Sequence, residues 1–233
     1  MPGRHPVFLE HQLDNARIDL DWAAISHARS QIYGWFSTVF AKELGREAMA
    51  LYLAGGVEPL LSVFSNLGLA REAEAVDGVL REWAQHGDAL LENAADFAAL
   101  FLLEGRHCPI PYASYYLGDG GGLLYGKPAQ LMRSFLASSQ LRLDEQFKEP
   151  EDHLSVILAL LSWWTKACDR AADITAQARD QAAFIESALT SWLAAWQARM
   201  DAVDGLAFRF YPAVGALLAA FVRVDLECLN TFR

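Results

Sequence analysis

Apolar residues recur at three- and four-residue spacing along almost the whole chain, and nowhere do they alternate over any length. A period near 3.6 gathers apolar side chains onto one face of a helix, whereas a half-buried strand needs a period of two. The chain is therefore expected to be all-α. One stretch breaks the pattern. From Glu104 to Lys127 the chain carries Pro109, Pro111 and the glycines Gly118, Gly120, Gly121, Gly122 and Gly126. Long loops inside compact domains are usually functional, so this segment draws attention first.

The helical reading runs as follows. Residues 1–20 are polar and weakly periodic and read as a loosely held tail. Asp21 reads as the N-cap of a first helix whose apolar face holds Trp22, Ile25, Ile32, Phe36, Val39 and Phe40. Short helices are expected over about 47–54 and 59–67, then a longer one over about 70–86. Asp88 reads as the cap of the next, which carries Leu90, Leu91, Phe97 and Phe101. After the loop, Pro128 suits the first turn of a helix to about Ser138. Pro150 likewise reads as the start of a strong helix to about Cys168. Further helices are expected over about 174–200 and 212–229. A division near Glu149 splits the chain into an N-terminal helical subdomain, 21–148, and a C-terminal one, 149–233.

Bulk properties narrow the function. The chain has 233 residues, is 53% hydrophobic and carries a net charge of −10. Such a composition buries a large core and excludes overall disorder. An acidic surface repels phosphate, so nucleic acid is not an expected partner, while basic peptides are its complement. Cys108, Cys168 and Cys228 are odd in number and widely spaced, which supports neither a disulfide framework nor a thiolate zinc site. The N-terminus lacks the apolar run of a secretory signal. The apolar stretch 210–222 is too short to span a bilayer, which needs roughly 20 residues. A cytoplasmic protein with no stable membrane insertion is expected.

Several segments invite a chemical reading. Glu149-Pro150-Glu151-Asp152-His153 reads structurally as a helix start, with a first-turn proline and two carboxylates beside the positive end of the macrodipole. His153 gains nothing there as a cation. Functionally, the same residues form an acidic and imidazole patch where two halves of the chain meet, suited to gripping a basic peptide. Metal binding through Glu149 and His153 is disfavoured, because Pro150 puts Glu149 outside the helix and no matching pair occurs elsewhere. Gly121-Gly122-Leu123-Leu124-Tyr125-Gly126-Lys127-Pro128 has phosphate-loop spacing, but Pro128 replaces the Ser or Thr that holds Mg²⁺, and no strand precedes it. Nucleotide binding by this loop stays the alternative from another class. Arg106-His107-Cys108 lacks an orienting carboxylate, and no catalytic constellation is visible. No enzyme activity and no cofactor are expected. Tyr112, Ser114, Tyr115 and Tyr116 sit in a proline-bearing loop, where tyrosines serve equally as adaptable contacts or as packed side chains with satisfied hydroxyls.

Three stretches together resemble the TorD family of molybdoenzyme-maturation chaperones. Leu91-Glu92-Asn93-Ala94-Ala95-Asp96-Phe97-Ala98-Ala99-Leu100-Phe101-Leu102 is similar to the family's "LELAADFxxLFL". Pro111-Tyr112-Ala113-Ser114-Tyr115-Tyr116 is similar to "PYASxY", and Glu149-Pro150-Glu151-Asp152-His153-Leu154 to "EPxDHL". Order and spacing fit as well, over about 24–229. The resemblance implies a TorD-like fold of two helical subdomains joined by a hinge at Glu149 and Pro150, as a monomer or a domain-swapped homodimer. It implies binding of the twin-arginine leader peptide and the apo form of a molybdenum reductase. Cofactor insertion is thereby assisted and export delayed. Asp152 and His153 map to the family's peptide-binding residues. With them, Glu149, Tyr112, Ser114 and Tyr116 make the expected peptide groove. The "PYASxY" form favours trimethylamine N-oxide reductase as client over a related dimethyl sulfoxide reductase-type enzyme. Some members bind GTP weakly, a property the chance match in the glycine loop does not carry.

Overall fold

The computed structural model describes residues 6–103, 108–117, 124–168 and 170–232, with side chains from residue 21 onward. Eleven helices are found among them. They are α1 Pro6–Ala41, α2 Arg46–Leu53, α3 Glu58–Asn66, α4 Ala70–Gln85, α5 Ala89–Phe97, α6 Ala113–Leu117, α7 Lys127–Ser138, α8 Leu154–Ala167, α9 Ile174–Ile185, α10 Ser191–Asp201 and α11 Phe210–Asn230. No strand occurs among the described residues; the one β contact is an isolated bridge, discussed below. The all-α expectation holds.

Three expectations about the helices differ here, each for a local reason, and the start of α8, taken up with the site below, is a fourth. α1 begins at Pro6, so Asp21 lies inside the helix and caps nothing. Asp88 does precede α5, but its backbone (φ −105°, ψ 19°) leaves the side chain without a capping hydrogen bond. The stretch read as continuous loop contains α6, five residues long and too short to show a period. Elsewhere agreement is close. The helix expected over 174–200 is α9 and α10 joined through a π-helical turn, Glu186–Thr190. A second π turn, Ala98–Leu102, prolongs α5. Gly68 ends α3 in a left-handed conformation (φ 82°) open to glycine at little cost.

The longest packing seam runs between α1 and α8. Small residues make it close. A Cβ at Gly34 would lie 3.1 Å from Ser162 Oγ, whose hydroxyl donates to the Ser30 carbonyl at 2.8 Å. Ser37 donates to the Ser155 carbonyl at 2.8 Å. α11 lies against α4, α9 and α10. Its rings interlock with the N-terminal helices: Phe221 packs on Tyr33 and Phe64, and Phe210 on Trp83. One hydrophobic core thus draws on residues from both sides of Glu149.

Within that core sits a polar knot. The Arg29 guanidinium donates to both carboxylate oxygens of Asp225, at 2.5 and 3.0 Å, and to Gln181 Oε1 at 2.5 Å. Tyr33 donates its hydroxyl to Asp225 at 2.5 Å. Desolvation lowers the Arg29 pKa, but the carboxylate outweighs it and holds the guanidinium firmly charged. Burial and the same carboxylate push the Tyr33 phenol well above its usual range. α1, α9 and α11 are fixed in register by this knot. Among the described residues no single helix is long and apolar enough to cross a membrane; α2 and α3 pass that test only as a pair bent by 62°.

Candidate functional site

The tyrosine-bearing loop and the Glu-Pro-Glu-Asp-His segment, far apart in sequence, are sewn together. The Leu154 amide donates to the Pro111 carbonyl at 2.7 Å, and the Ala113 amide to the Asp152 carbonyl at 3.2 Å. Tyr112 and His153 form an antiparallel bridge. A carboxylate closes the joint: Asp152 Oδ2 accepts the Ser114 amide at 2.6 Å. Ser114 Oγ in turn accepts the Gly126 amide at 3.0 Å, tying in the residue just before α7.

The helix-start reading of this segment is corrected. α8 begins at Leu154 and His153 is its N-cap, so Glu151 and Asp152 lie in the preceding turn rather than in the first helical turn. The imidazole does what a capping serine or aspartate does: its Nδ1 accepts the Ser155 amide at 3.1 Å and meets Ser155 Oγ at 2.7 Å. An acceptor nitrogen requires a neutral ring. Burial supplies that condition, pushing the His153 pKa down to about 4. Tyr112 and Phe147 pack edge-on against the ring, at 5.0 and 5.6 Å between centroids.

The six expected groove residues are thus only partly brought together. Tyr112, Ser114, Glu149, Asp152 and His153 meet at the joint. Asp152 is 0% exposed, His153 5% and Ser114 1%, so three of them are interior. Glu149 is exposed, and it accepts the hydroxyl of half-buried Tyr112. Desolvation, then the Glu149 carboxylate, drives that phenol far above its usual range. Tyr116 turns away to α10, where it stacks on Trp192 with Arg199 over its face at 5.0 Å. Two of their buried atoms lack a hydrogen-bond partner, the Tyr116 hydroxyl beside α10 and, at the joint itself, Asp152 Oδ1. A bare buried carboxylate oxygen costs roughly 1–3 kcal/mol or more, so it calls for an explanation.

Two supports escaped the sequence reading. Trp196 of α10 donates its indole N–H to the Pro109 carbonyl at 2.8 Å, holding the loop to the C-terminal helices. Arg133 of α7 grips Glu151 in a fork at 2.7 and 3.0 Å, which holds the Glu151 carboxyl below its usual range. A cleft of about 520 Å³ opens beside the joint, between α6, α7 and the 186–190 turn. It is lined by Ala113, Leu117, Leu131, Ile157 and Ala188 among others. Of the phosphate-loop match, Gly121, Gly122 and Leu123 lie outside the described residues; Lys127 opens α7. Among the described residues no group of three His, Cys, Asp or Glu side chains is placed to hold a metal.

Comparison with known proteins matches these features. A family model described as "Nitrate reductase delta subunit" matches residues 67–198. Chaperone protein TorD of Psychrobacter sp. (strain PRwf-1) is 41% identical over 212 residues, covering 90% of this chain and 95% of the relative. Chaperone protein TorD of Vibrio cholerae (strain ATCC 39541) is 36% identical over 210 residues, covering 88% and 94%. That of Shewanella amazonensis is 34% identical over 227 residues, covering 87% and 92%. These relatives carry the name of a chaperone, not of an enzyme. With the three motifs in order, an all-helical fold and identity along nearly the full length, the chain belongs to the TorD family of chaperones.

Proposed function

We propose that this protein is a cytoplasmic chaperone for the apo form of a molybdenum reductase, with trimethylamine N-oxide reductase as the client. It binds the client's twin-arginine leader, keeps the enzyme open to molybdopterin insertion and delays export until insertion is done. The observation that carries this reading is the joint with its one unpartnered atom, Asp152 Oδ1. A guanidinium supplies the paired N–H donors that such an oxygen lacks. In the closed joint Asp152 is out of reach. The exposed Glu149 carboxylate at the rim offers an arginine its first contact, and parting of the Tyr112–His153 bridge would bring the second carboxylate within reach. Glu149 and Pro150 are then the hinge on which the joint opens.

Calorimetry tests this. The full chain is titrated with a leader peptide carrying its two arginines and with one carrying alanines in their place. Tight binding of the first alone is expected, and equal heats from both would overturn the reading. Asp152→Asn keeps the side chain's shape and the Ser114 contact but removes the charge. It should weaken the leader by about tenfold or more, since a hydrogen bond to a charged group is worth roughly 1.5–3 kcal/mol.

A further inference from the structure

One helix beside the joint is held less firmly than its neighbours. α7 and α9 both have 12 residues, yet α7 buries only Ala129, Met132 and Leu136, where α9 buries Ala178, Gln181, Ala182, Phe184 and Ile185. Elements that bury little apolar area open first. Clefts flank α7 along its length. The cleft of about 520 Å³ runs beside Leu131 and Met132. A second, of about 550 Å³, separates Leu136 and Ala137 from Leu141 and Leu143. A third, of about 420 Å³, separates Phe135 and Ser138 from Trp163 and Trp164. The backbone is strained at both ends. Tyr125 (φ 64°) and Gln140 (φ 57°) are the two non-glycine residues in the left-handed region among those described, and they bracket this one helix. A Cβ is crowded there, so the surrounding structure must hold the chain in place. Two ties do so, and both end on the joint. Ser114 Oγ accepts the Gly126 amide at 3.0 Å, and the Ser114 amide is bound by Asp152. Arg133, in the middle of α7, grips Glu151 at 2.7 and 3.0 Å. The Glu151 side chain is only 20% exposed, so water and salt screen this pair less than a fully exposed one. Away from the joint, the Phe135 ring meets Phe184 edge-on at 4.9 Å.

We infer that α7 is a lid coupled to the joint: it lifts as a unit about Tyr125 and Gln140 when the joint parts, because parting removes both of its ties. Lifting relieves the strained backbone at the two ends and bares the apolar wall that Ile157 and Ala188 give the first cleft. The coupling runs both ways, so whatever frees α7 also loosens the joint. A ligand that needs the open joint binds less tightly in proportion to the closed fraction, so the ties set its apparent affinity. Only this effect on the leader rests on the leader-binding reading above; the coupling itself needs no client.

Hydrogen exchange on the full chain, read by mass spectrometry, tests the lid without a client. In the wild type, residues 127–138 should exchange about tenfold faster than 174–185. Arg133→Gln should speed 127–138 by about threefold more, and with it the joint amides of Ala113, Ser114 and Leu154, while 174–185 stays unchanged. A reversible lock reads the opposite direction. A Cβ at Gly126 would lie 3.5 Å from Ser114 Cβ, a spacing a disulfide spans. The joint of oxidised Ser114→Cys/Gly126→Cys can then part only by dragging α7 off Phe184. Compared with its reduced form, the oxidised variant should exchange more slowly at 127–138 and Leu154 and bind leader peptide about tenfold more weakly. Wild type oxidised in parallel is the control for Cys108, Cys168 and Cys228. Arg133→Gln should bind the leader about threefold more tightly. A merely structural ion pair would loosen α7 alone and leave Leu154 and the leader unmoved. That outcome, or exchange at 127–138 no faster than at 174–185, overturns the inference and leaves the leader-binding reading intact. The expected exchange pattern in a wild type that binds no leader upholds the lid and overturns the leader-binding reading.

Discussion

His153 shows how much one residue's environment decides. In sequence it stands beside two carboxylates, where a charged imidazole at a helix N-terminus looks misplaced. In the structure it is neutral and caps the helix through Nδ1. The linkage has a definite sign. The folded pKa of about 4 lies below the unfolded value near 6.5, so the unfolded chain takes up a proton in that range first. Stability from this group is whole above about pH 6.5 and is lost as the pH falls toward about 4. The loss should reach about 3 kcal/mol at most. Urea unfolding across that range should show it, and His153→Gln should remove most of that slope while keeping an acceptor near the Ser155 amide. A wild-type midpoint that is flat with pH would contradict the assignment. Arg29 and Asp225 teach the same lesson in the core. Each sits in register with the apolar face of its helix, Arg29 with Trp22, Tyr33 and Phe36, and Asp225 with Leu218, Phe221 and Leu229. Opposite charges at core-facing positions on two helices were the available signal. Only the fold shows that they meet.

At the scale of elements, the strongest coupling is between α1 and α8, and it depends on small side chains. Gly34 leaves room for Ser162, and serine hydroxyls return to backbone carbonyls across the seam. Gly34→Leu should drive the helices apart and cost several kcal/mol, read as a fall in the denaturation midpoint, whereas Gly34→Ala meets only a serine hydroxyl and should cost about 1 kcal/mol. Because α8 starts at the joint, the larger substitution should also disturb the Tyr112–His153 bridge and weaken leader binding. Helices with several turns were legible from their period: α4, the α9–α10 rod and α11 fall within a few residues of expectation. α6 was not, since five residues give no period. The start of α8 was misplaced for a related reason. A proline with two carboxylates satisfies the rules for a first turn, and only the pairing of Asp152 with the distant Ala113 and Ser114 holds those residues out of the helix.

For the whole molecule, the core crosses the Glu149 boundary: α1 needs α8, and α11 needs α4. Residues 149–233 expressed alone lack the partner of α8 and should be poorly structured by circular dichroism, while mixing them with 1–148 should restore the native helicity. Full-chain unfolding should then be one cooperative transition. Two transitions would mean that the halves are independent. The same interleaving bears on the proposed hinge, because parting the joint need only break a short bridge and a few hydrogen bonds while the core stays closed. What the sequence by itself determined is the all-helical class, the long helices, the family and the two motifs that matter, since these rest on local periodicity and local residue order. Tertiary structure alone decided that the motifs meet, that Asp152 and His153 are interior with one carboxylate oxygen bare, that Tyr116 faces α10, and that the ties of α7 end on the joint. Burial and pairing between residues a hundred positions apart are properties of the packed chain, and no local pattern encodes them.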